Sequence, residues 1–166
     1  MRPLFWTAFW VFLIDQVTKY YVVHWLGLIN APGGRITVFP PFLEYRMAWN
    51  RGVNFGLGAG YDMRWVLIGV ALAISVGVIV WLWRAGGTRN MMIAAGLLIG
   101  GAIGNVVDRV IYGAVADFLN MSCCGIDNPY AFNVADIAIF AGAIGLAFLS
   151  EDGGSKPSKK RGTKRS

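Results

Sequence analysis

A single acidic residue, Asp136, lies inside an otherwise uncharged run of 18 residues from Phe132 to Leu149. An apolar run of this length is close to what an α-helix needs to cross a bilayer. A charged carboxylate within such a run costs a few kcal/mol on insertion scales, so a chain that keeps one there usually uses it. A second acid, Asp117, lies in the short segment just before the run. The pair suggests two acids that meet at a membrane surface.

The composition of the whole chain is typical of a membrane protein rather than a soluble domain. Of its 166 residues, 56% are hydrophobic and 14% are charged, and the mean hydropathy is +0.53. Two further uncharged runs, Trp65 to Trp83 and Met91 to Val107, approach the spanning length, and the N-terminal segment is apolar on both sides of residues 15–19. We therefore predict an all-α polytopic membrane protein with four transmembrane helices and a small external β-rich element. A cleaved signal peptide is the less favoured interpretation of the N-terminus, because no small-residue cleavage site follows.

Basic residues predict which ends of these helices face the cytoplasm. Arg84 and Arg89 lie between the second and third spans, and six more basic residues lie in the C-terminal tail. Under the positive-inside rule both termini are cytoplasmic, and the first and third helices run outward. Asp117 and Asp136 are then predicted to lie at the outer face. We expect the basic tail to attract anionic lipid headgroups rather than nucleic acid.

The chain divides into one membrane domain, residues 1–150, and a tail, residues 151–166. The tail is rich in Gly, Ser and Lys, which predicts disorder. Residues 27–63 form the one long external connection, in which β-branched and aromatic residues flank Pro40 and Pro41. This pattern predicts short strands that lie on the membrane.

The third span carries a ridge of glycines at intervals of four residues, Gly96, Gly100 and Gly104. Such a ridge lets another helix approach closely, so it determines where the end of the span points. Three polar residues share one face of that end: Asn105, Asp108 and Arg109. The alternative to a functional site here is a capped helix end with an internal Asp–Arg pair.

Two close carboxylates are the machinery of aspartic proteases. One, ionised, takes a proton from water, and the other, protonated, hydrogen-bonds the scissile carbonyl and later supplies a proton to the amine. Transporters and proton relays also keep intramembrane acids, so a small transporter or proton-relay subunit is an alternative. Asp15 and Lys19 are spaced i, i+4 and are predicted to pair, which favours a structural role for Asp15. No spaced Cys/His set is present, so we predict no metal site.

Five motifs, taken together across residues 5–149, resemble those of the lipoprotein signal peptidase (signal peptidase II) family of bacterial inner-membrane aspartyl peptidases. The motifs are Asp15 to Lys19, Asn50 to Gly56, Gly101 to Arg109, Val115 to Phe118, and Phe132 to Asp136. The chain departs from the family pattern at Val53, Asn54 and Ile137.

The resemblance implies that Asp117 and Asp136 form a catalytic dyad. It implies removal of the signal peptide from diacylglyceryl-modified prolipoproteins, just before the lipidated cysteine, at the periplasmic face of the inner membrane. It also implies that six polar residues support the site or position the substrate: Asp15, Asn50, Asn105, Asp108, Arg109 and Asn133. We expect a monomer that needs no cofactor and that meets lipid-modified prolipoproteins and membrane lipids.

Overall fold

The computed structural model describes residues 1–52, 63–123 and 128–153, which contain four α-helices and a three-stranded sheet. The helices are α1 (Arg2–Lys19), α2 (Met63–Ala85), α3 (Arg89–Tyr112) and α4 (Val134–Gly153). The strands are β1 (Arg35–Phe39), β2 (Leu43–Asn50) and β3 (Val115–Met121). A π-helical segment, Tyr20–Trp25, continues α1, and two 3-10 turns, Leu28–Asn30 and Pro32–Gly34, lead into β1.

Two helices in the described part of the chain, α2 and α3, are long and apolar enough to cross a membrane. The predicted runs Trp65 to Trp83 and Met91 to Val107 are therefore confirmed as parts of spanning-length helices. The apolar part of α4, Val134–Ser150, is shorter, and α1 carries an aspartate and a lysine in its second half. Four membrane crossings consequently remain a prediction. Most of α2 faces outward from the fold, as a helix in contact with lipid would.

The predicted close approach of another helix to the glycine ridge of α3 is confirmed, and that helix is α1. Gly96 and Gly100 lie so close to the backbone of α1 that a Cβ atom at either position would overlap it. One turn further along, Gly104 lies against the carboxylate of Asp15. Because glycine has no side chain, the ridge brings the polar end of α3 into direct contact with α1.

A second glycine, Gly101, lies on another face of α3 and packs against the backbone of Ala135 at the start of α4. Further along this interface, Gly142 of α4 packs against α3 at Ala94 and Leu98. The α2 helix also packs against α3. As a result α3 is the central helix, and its C-terminal end meets both α1 and the first turn of α4.

The long connection between α1 and α2 forms the predicted strands. Strands β1 and β2 pair in an antiparallel hairpin around Pro40 and Pro41. A third strand, β3, follows α3 directly and pairs with β2, with Ala48 opposite Asp117. The sequence predicts only a short segment around Asp117, whereas in the structure Asp117 lies in this strand. Residues 53–62 of the connection, which include the departures at Val53 and Asn54, lie outside the described residues.

The chain turns sharply at each end of β3. Helix α3 ends at Gly113, whose φ of 74° is a left-handed conformation that glycine adopts without strain. After β3 the chain returns and pairs with the strand through Leu119 and Phe132, with N···O distances of 2.8 and 3.0 Å. This pairing places the start of α4 beside Asp117. At its other end α4 extends to Gly153, so the first three residues of the predicted tail are helical; residues 154–166 lie outside the described part.

Candidate active site

The first turn of α4 is closed by a reciprocal pair of hydrogen bonds between Asn133 and Asp136. The backbone N–H of Asp136 donates to Asn133 Oδ1 at 2.9 Å, and the backbone N–H of Asn133 donates to Asp136 Oδ2 at 3.3 Å. This is a capping box, which satisfies two N–H groups that the helix end would otherwise leave without partners. It also fixes the Asp136 carboxylate at the N-terminal end of the helix.

The same Asn133 side chain reaches the second acid. Its Nδ2 donates to Asp117 Oδ1 at 2.6 Å, and the side chain is fully buried. Asn133 therefore binds both Asp117 and Asp136, so the structure brings together the two acids that the sequence identified. Burial, and next the negative charge of Asp136, raise the pKa of Asp117 to about 7, against the smaller opposing effects of Asn50, Asn133 and Lys19. A pair in which one acid keeps its proton near neutral pH suits acid–base chemistry.

A second asparagine, Asn105 of α3, holds Asp136 from the opposite side. Its Nδ2 donates to Asp136 Oδ1 at 2.9 Å. Its Oδ1 accepts from Asn133 Nδ2 at 3.3 Å and from Lys19 Nζ at 3.2 Å. Each acid thus receives one side-chain N–H from a buried asparagine.

Beneath these asparagines lies a buried ion triad of Asp15, Lys19 and Asp108. The predicted pairing of Asp15 with Lys19 is confirmed, with Lys19 Nζ 2.8 Å from Asp15 Oδ2. The same Nζ lies 2.8 Å from Asp108 Oδ2. Gln16 Nε2 joins the two carboxylates from the side, at 3.1 Å from each. Charges that are out of water need such partners, because an unpaired buried charge is costly.

The two aspartates of the triad also bind the backbone next to the catalytic candidates. Asp15 Oδ1 accepts the N–H of Ala135 at 2.9 Å, one residue before Asp136. Asp108 Oδ2 accepts the N–H of Ala116 at 3.1 Å, one residue before Asp117. The triad therefore fastens the start of α4 and the start of β3 to α1 and α3.

Asn50 and Arg109 complete the surroundings of the acids. The Asn50 side chain hydrogen-bonds Asp117, and its Oδ1 accepts the N–H of Gly52 at 3.0 Å in a local turn. Arg109 Nη1 donates to the carbonyl of Asn105 at 3.2 Å, and the guanidinium is attracted to the charge of Asp136. The Nε of Arg109 is buried and has no hydrogen-bond partner among the described residues. Arg109 therefore adds a positive charge beside the acids.

All eight site residues named from the sequence therefore lie in one connected cluster. The acids are contacted by three asparagines: Asn50, Asn105 and Asn133. The ion triad contains Asp15 and Asp108, and Arg109 lies beside the acids. Two contributions to the cluster were not predicted from the sequence. They are the side chain of Gln16 and the contacts of Lys19 with Asp108 and Asn105. The sequence feature that could have indicated these contacts is a lysine in an apolar helix, because a buried ammonium group needs partners for its charge and its hydrogen-bond donors.

Comparisons with known proteins agree on one family. A family model described as signal peptidase (SPase) II matches residues 7–150. The lipoprotein signal peptidase of Methylobacterium sp. (strain 4-46) is 42% identical over 154 residues, which cover 88% of this chain and 88% of that protein. The lipoprotein signal peptidase of Caulobacter vibrioides is 39% identical over 146 residues, which cover 84% of this chain and 83% of that protein. A solved structure titled as a bacterial membrane enzyme superposes with a TM-score of 0.73 at 29% identity, covering 96% of this chain and 94% of that one. The chain therefore belongs to the signal peptidase II family of bacterial membrane proteases that process lipoproteins.

Proposed function

We propose that this protein is an aspartyl endopeptidase that cleaves diacylglyceryl-modified prolipoproteins just before the lipidated cysteine. The observation that carries the proposal is that Asn133 binds both carboxylates: its Nδ2 donates to Asp117 Oδ1 at 2.6 Å, and its backbone N–H donates to Asp136 Oδ2 at 3.3 Å. Relatives that are named lipoprotein signal peptidases support the substrate class. In this proposal Asp15, Asn105, Asp108 and Asn133 hold the dyad, while Asn50 and Arg109 are available to substrate carbonyls.

The surroundings of the two acids support a division of roles. Asp136 accepts two N–H groups and is attracted to Arg109, so it is the ionised partner that takes a proton from the attacking water. Asp117, whose pKa is raised to about 7, is the protonated partner that donates to the scissile carbonyl oxygen. Water adds to the carbonyl carbon, and the C–N bond then breaks as the dyad passes a proton to the amine of the cysteine. The products are the free signal peptide and the lipoprotein with a new N-terminus.

The test is cleavage by the purified protein in detergent. A precursor peptide with a diacylglyceryl cysteine should yield a fragment that ends at the residue before that cysteine, identified by mass spectrometry. The same peptide without the lipid is the control for substrate class. If the lipidated peptide stays intact while the protein is folded, the peptidase proposal is wrong and the proton-relay alternative gains.

The proposed orientation has the dyad at the periplasmic face of the inner membrane and both termini in the cytoplasm. Basic residues near Arg89 and in the tail support it. In a variant with Ser at both native cysteines, a cysteine at exposed Thr37 should react with an impermeant reagent added outside, and one at exposed Arg89 should not. Reaction at position 89 in intact cells would overturn the orientation.

We also propose a monomer whose partners are prolipoproteins and lipids, with no nucleic-acid partner.

The raised pKa of Asp117 predicts how activity changes with pH. In the free enzyme Asp117 keeps its proton up to about pH 7 and loses it as the pH rises further, so the proton donor disappears on the alkaline side. We expect kcat/KM to fall about tenfold per pH unit above that point. The measurement is kcat/KM for the lipidated peptide from pH 5.5 to 9, with melting curves at each pH to exclude unfolding. A flat profile up to pH 9 would show that Asp117 is not the protonated partner.

A further inference from the structure

Lys19 is a buried cation whose three N–H donors are all used. Its side chain is 7% exposed, and its Nζ contacts Asp15 Oδ2, Asp108 Oδ2 and Asn105 Oδ1. An ammonium group has three donors, so each of these oxygens takes one. The carboxylates of Asp15 and Asp108 compensate the positive charge of Lys19. The third bond, 3.2 Å to a neutral amide, adds nothing to charge balance and has a separate consequence for that amide.

The bond from Lys19 helps to determine which way the Asn105 amide faces. An amide has an accepting oxygen at one end and a donating NH2 group at the other. Because Asn105 Oδ1 accepts from Lys19 and from Asn133, the NH2 group is left to donate to Asp136 at 2.9 Å. The flipped amide would place its NH2 against the ammonium and its oxygen against the Asp136 carboxylate. Both of those contacts are repulsive.

We propose that Lys19 is a positioning residue of the peptidase reaction, which holds the Asn105 amide so that it donates to Asp136. The proposal rests on the dyad mechanism proposed above. Lys19 touches neither acid of the dyad in the structure, and Asn105 is the described residue that hydrogen-bonds both Lys19 and Asp136. Its loss should therefore impair the chemical step and leave the binding of the substrate peptide almost unchanged.

The experiment removes Lys19 while keeping the net formal charge of the triad unchanged. The triad of two aspartates and one lysine has a formal charge of −1, and the variant Asp15→Asn/Lys19→Met keeps that value through Asp108. Relative to Asp15→Asn alone, we expect kcat per folded molecule to fall about 100-fold, the size of loss that a misplaced catalytic group produces. KM should stay within about twofold. Melting curves give the folded fraction of each variant, and unchanged kcat per folded molecule overturns the proposal.

A further substitution separates positioning from general support of the fold. In the Asp15→Asn background, Asn105→Ala removes the group through which Lys19 is proposed to act. Adding Lys19→Met to that variant should then lower kcat less than about threefold, because the two changes remove one interaction. Losses that multiply would show that Lys19 acts elsewhere and would overturn the proposal. Failure of the unsubstituted protein to cleave lipidated peptide would instead count against the proposed function itself.

Discussion

Replacing either Asp117 or Asp136 with asparagine is expected to abolish most of the peptidase activity while the protein stays folded. Asparagine keeps the shape of the side chain but neither ionises nor supplies a proton, so water is not activated or the proton is not returned. Acid–base groups of this kind contribute about 10² to 10⁴-fold in rate, and we expect losses in the upper part of that range. Because the acids act as one unit, the double variant should be scarcely slower than either single variant.

The measurement is turnover of a lipidated precursor by detergent-purified variants, with a melting curve for each. A matched control is Glu44→Gln, since Glu44 is an acid in strand β2 that pairs with Arg35 at 3.6 Å and lies outside the cluster. It should retain turnover within about twofold.

Asp117→Asn should melt no lower than the unsubstituted protein above pH 7, because the buried carboxylate is then charged and the asparagine is not. Near-normal turnover in either dyad variant would contradict the aspartyl mechanism.

The second large effect concerns the glycine ridge. Gly100→Leu should destabilise the protein by more than about 3 kcal/mol and eliminate activity, since a Cβ at Gly100 already overlaps the backbone of Ala8. Backbone on the facing helix moves only if the helices separate. Separation of α1 from α3 would withdraw Asp15 and Lys19 from Asp108 and Asn105, so the catalytic cluster would lose its support as well.

The control for this prediction is the same substitution in a helix with open space. Gly77 lies in α2, and a Cβ there has nothing within 4 Å among the described residues. Gly77→Leu should shift the melting temperature in detergent by only a degree or two. Equal melting of Gly100→Leu and Gly77→Leu would show that the α1–α3 contact does not depend on glycine, and the packing argument would then be wrong.

Local patterns in the sequence predicted the parts of this fold that depend on near neighbours. Uncharged runs identified α2 and α3, glycine spacing identified the packing face of α3, and the i, i+4 spacing identified the Asp15–Lys19 pair. The assignment of Asp117 and Asp136 as a dyad came from family resemblance, because nothing in their spacing establishes contact. The structure brings them together through Asn133, but whether they catalyse the reaction stays a prediction.

Other features depend on contacts between distant segments and could not be read from local patterns. Strand β3 is one, because it is defined by pairing with β2 and with Phe132 rather than by alternation of its own residues. The bond from Lys19 to Asn105 is another, since 86 positions separate the two residues. Such contacts follow only from how the helices pack, and the glycine ridge determines that packing for α1 and α3.

The pairing of Asp15 with Lys19 has a consequence for biosynthesis. During translation α1 emerges before α3 and α4, so Asp108, Asn105 and Ala135 are not yet available as partners. Residues four apart on one helix meet without any tertiary structure, so the two opposite charges neutralise each other from the start. When α3 and α4 arrive, the lysine gains Asp108 and Asn105, and Asp15 gains the N–H of Ala135, 120 residues later in the chain. In the proposed mechanism the nascent chain therefore has no assembled dyad until α4 is in place, and it gains peptidase activity only then.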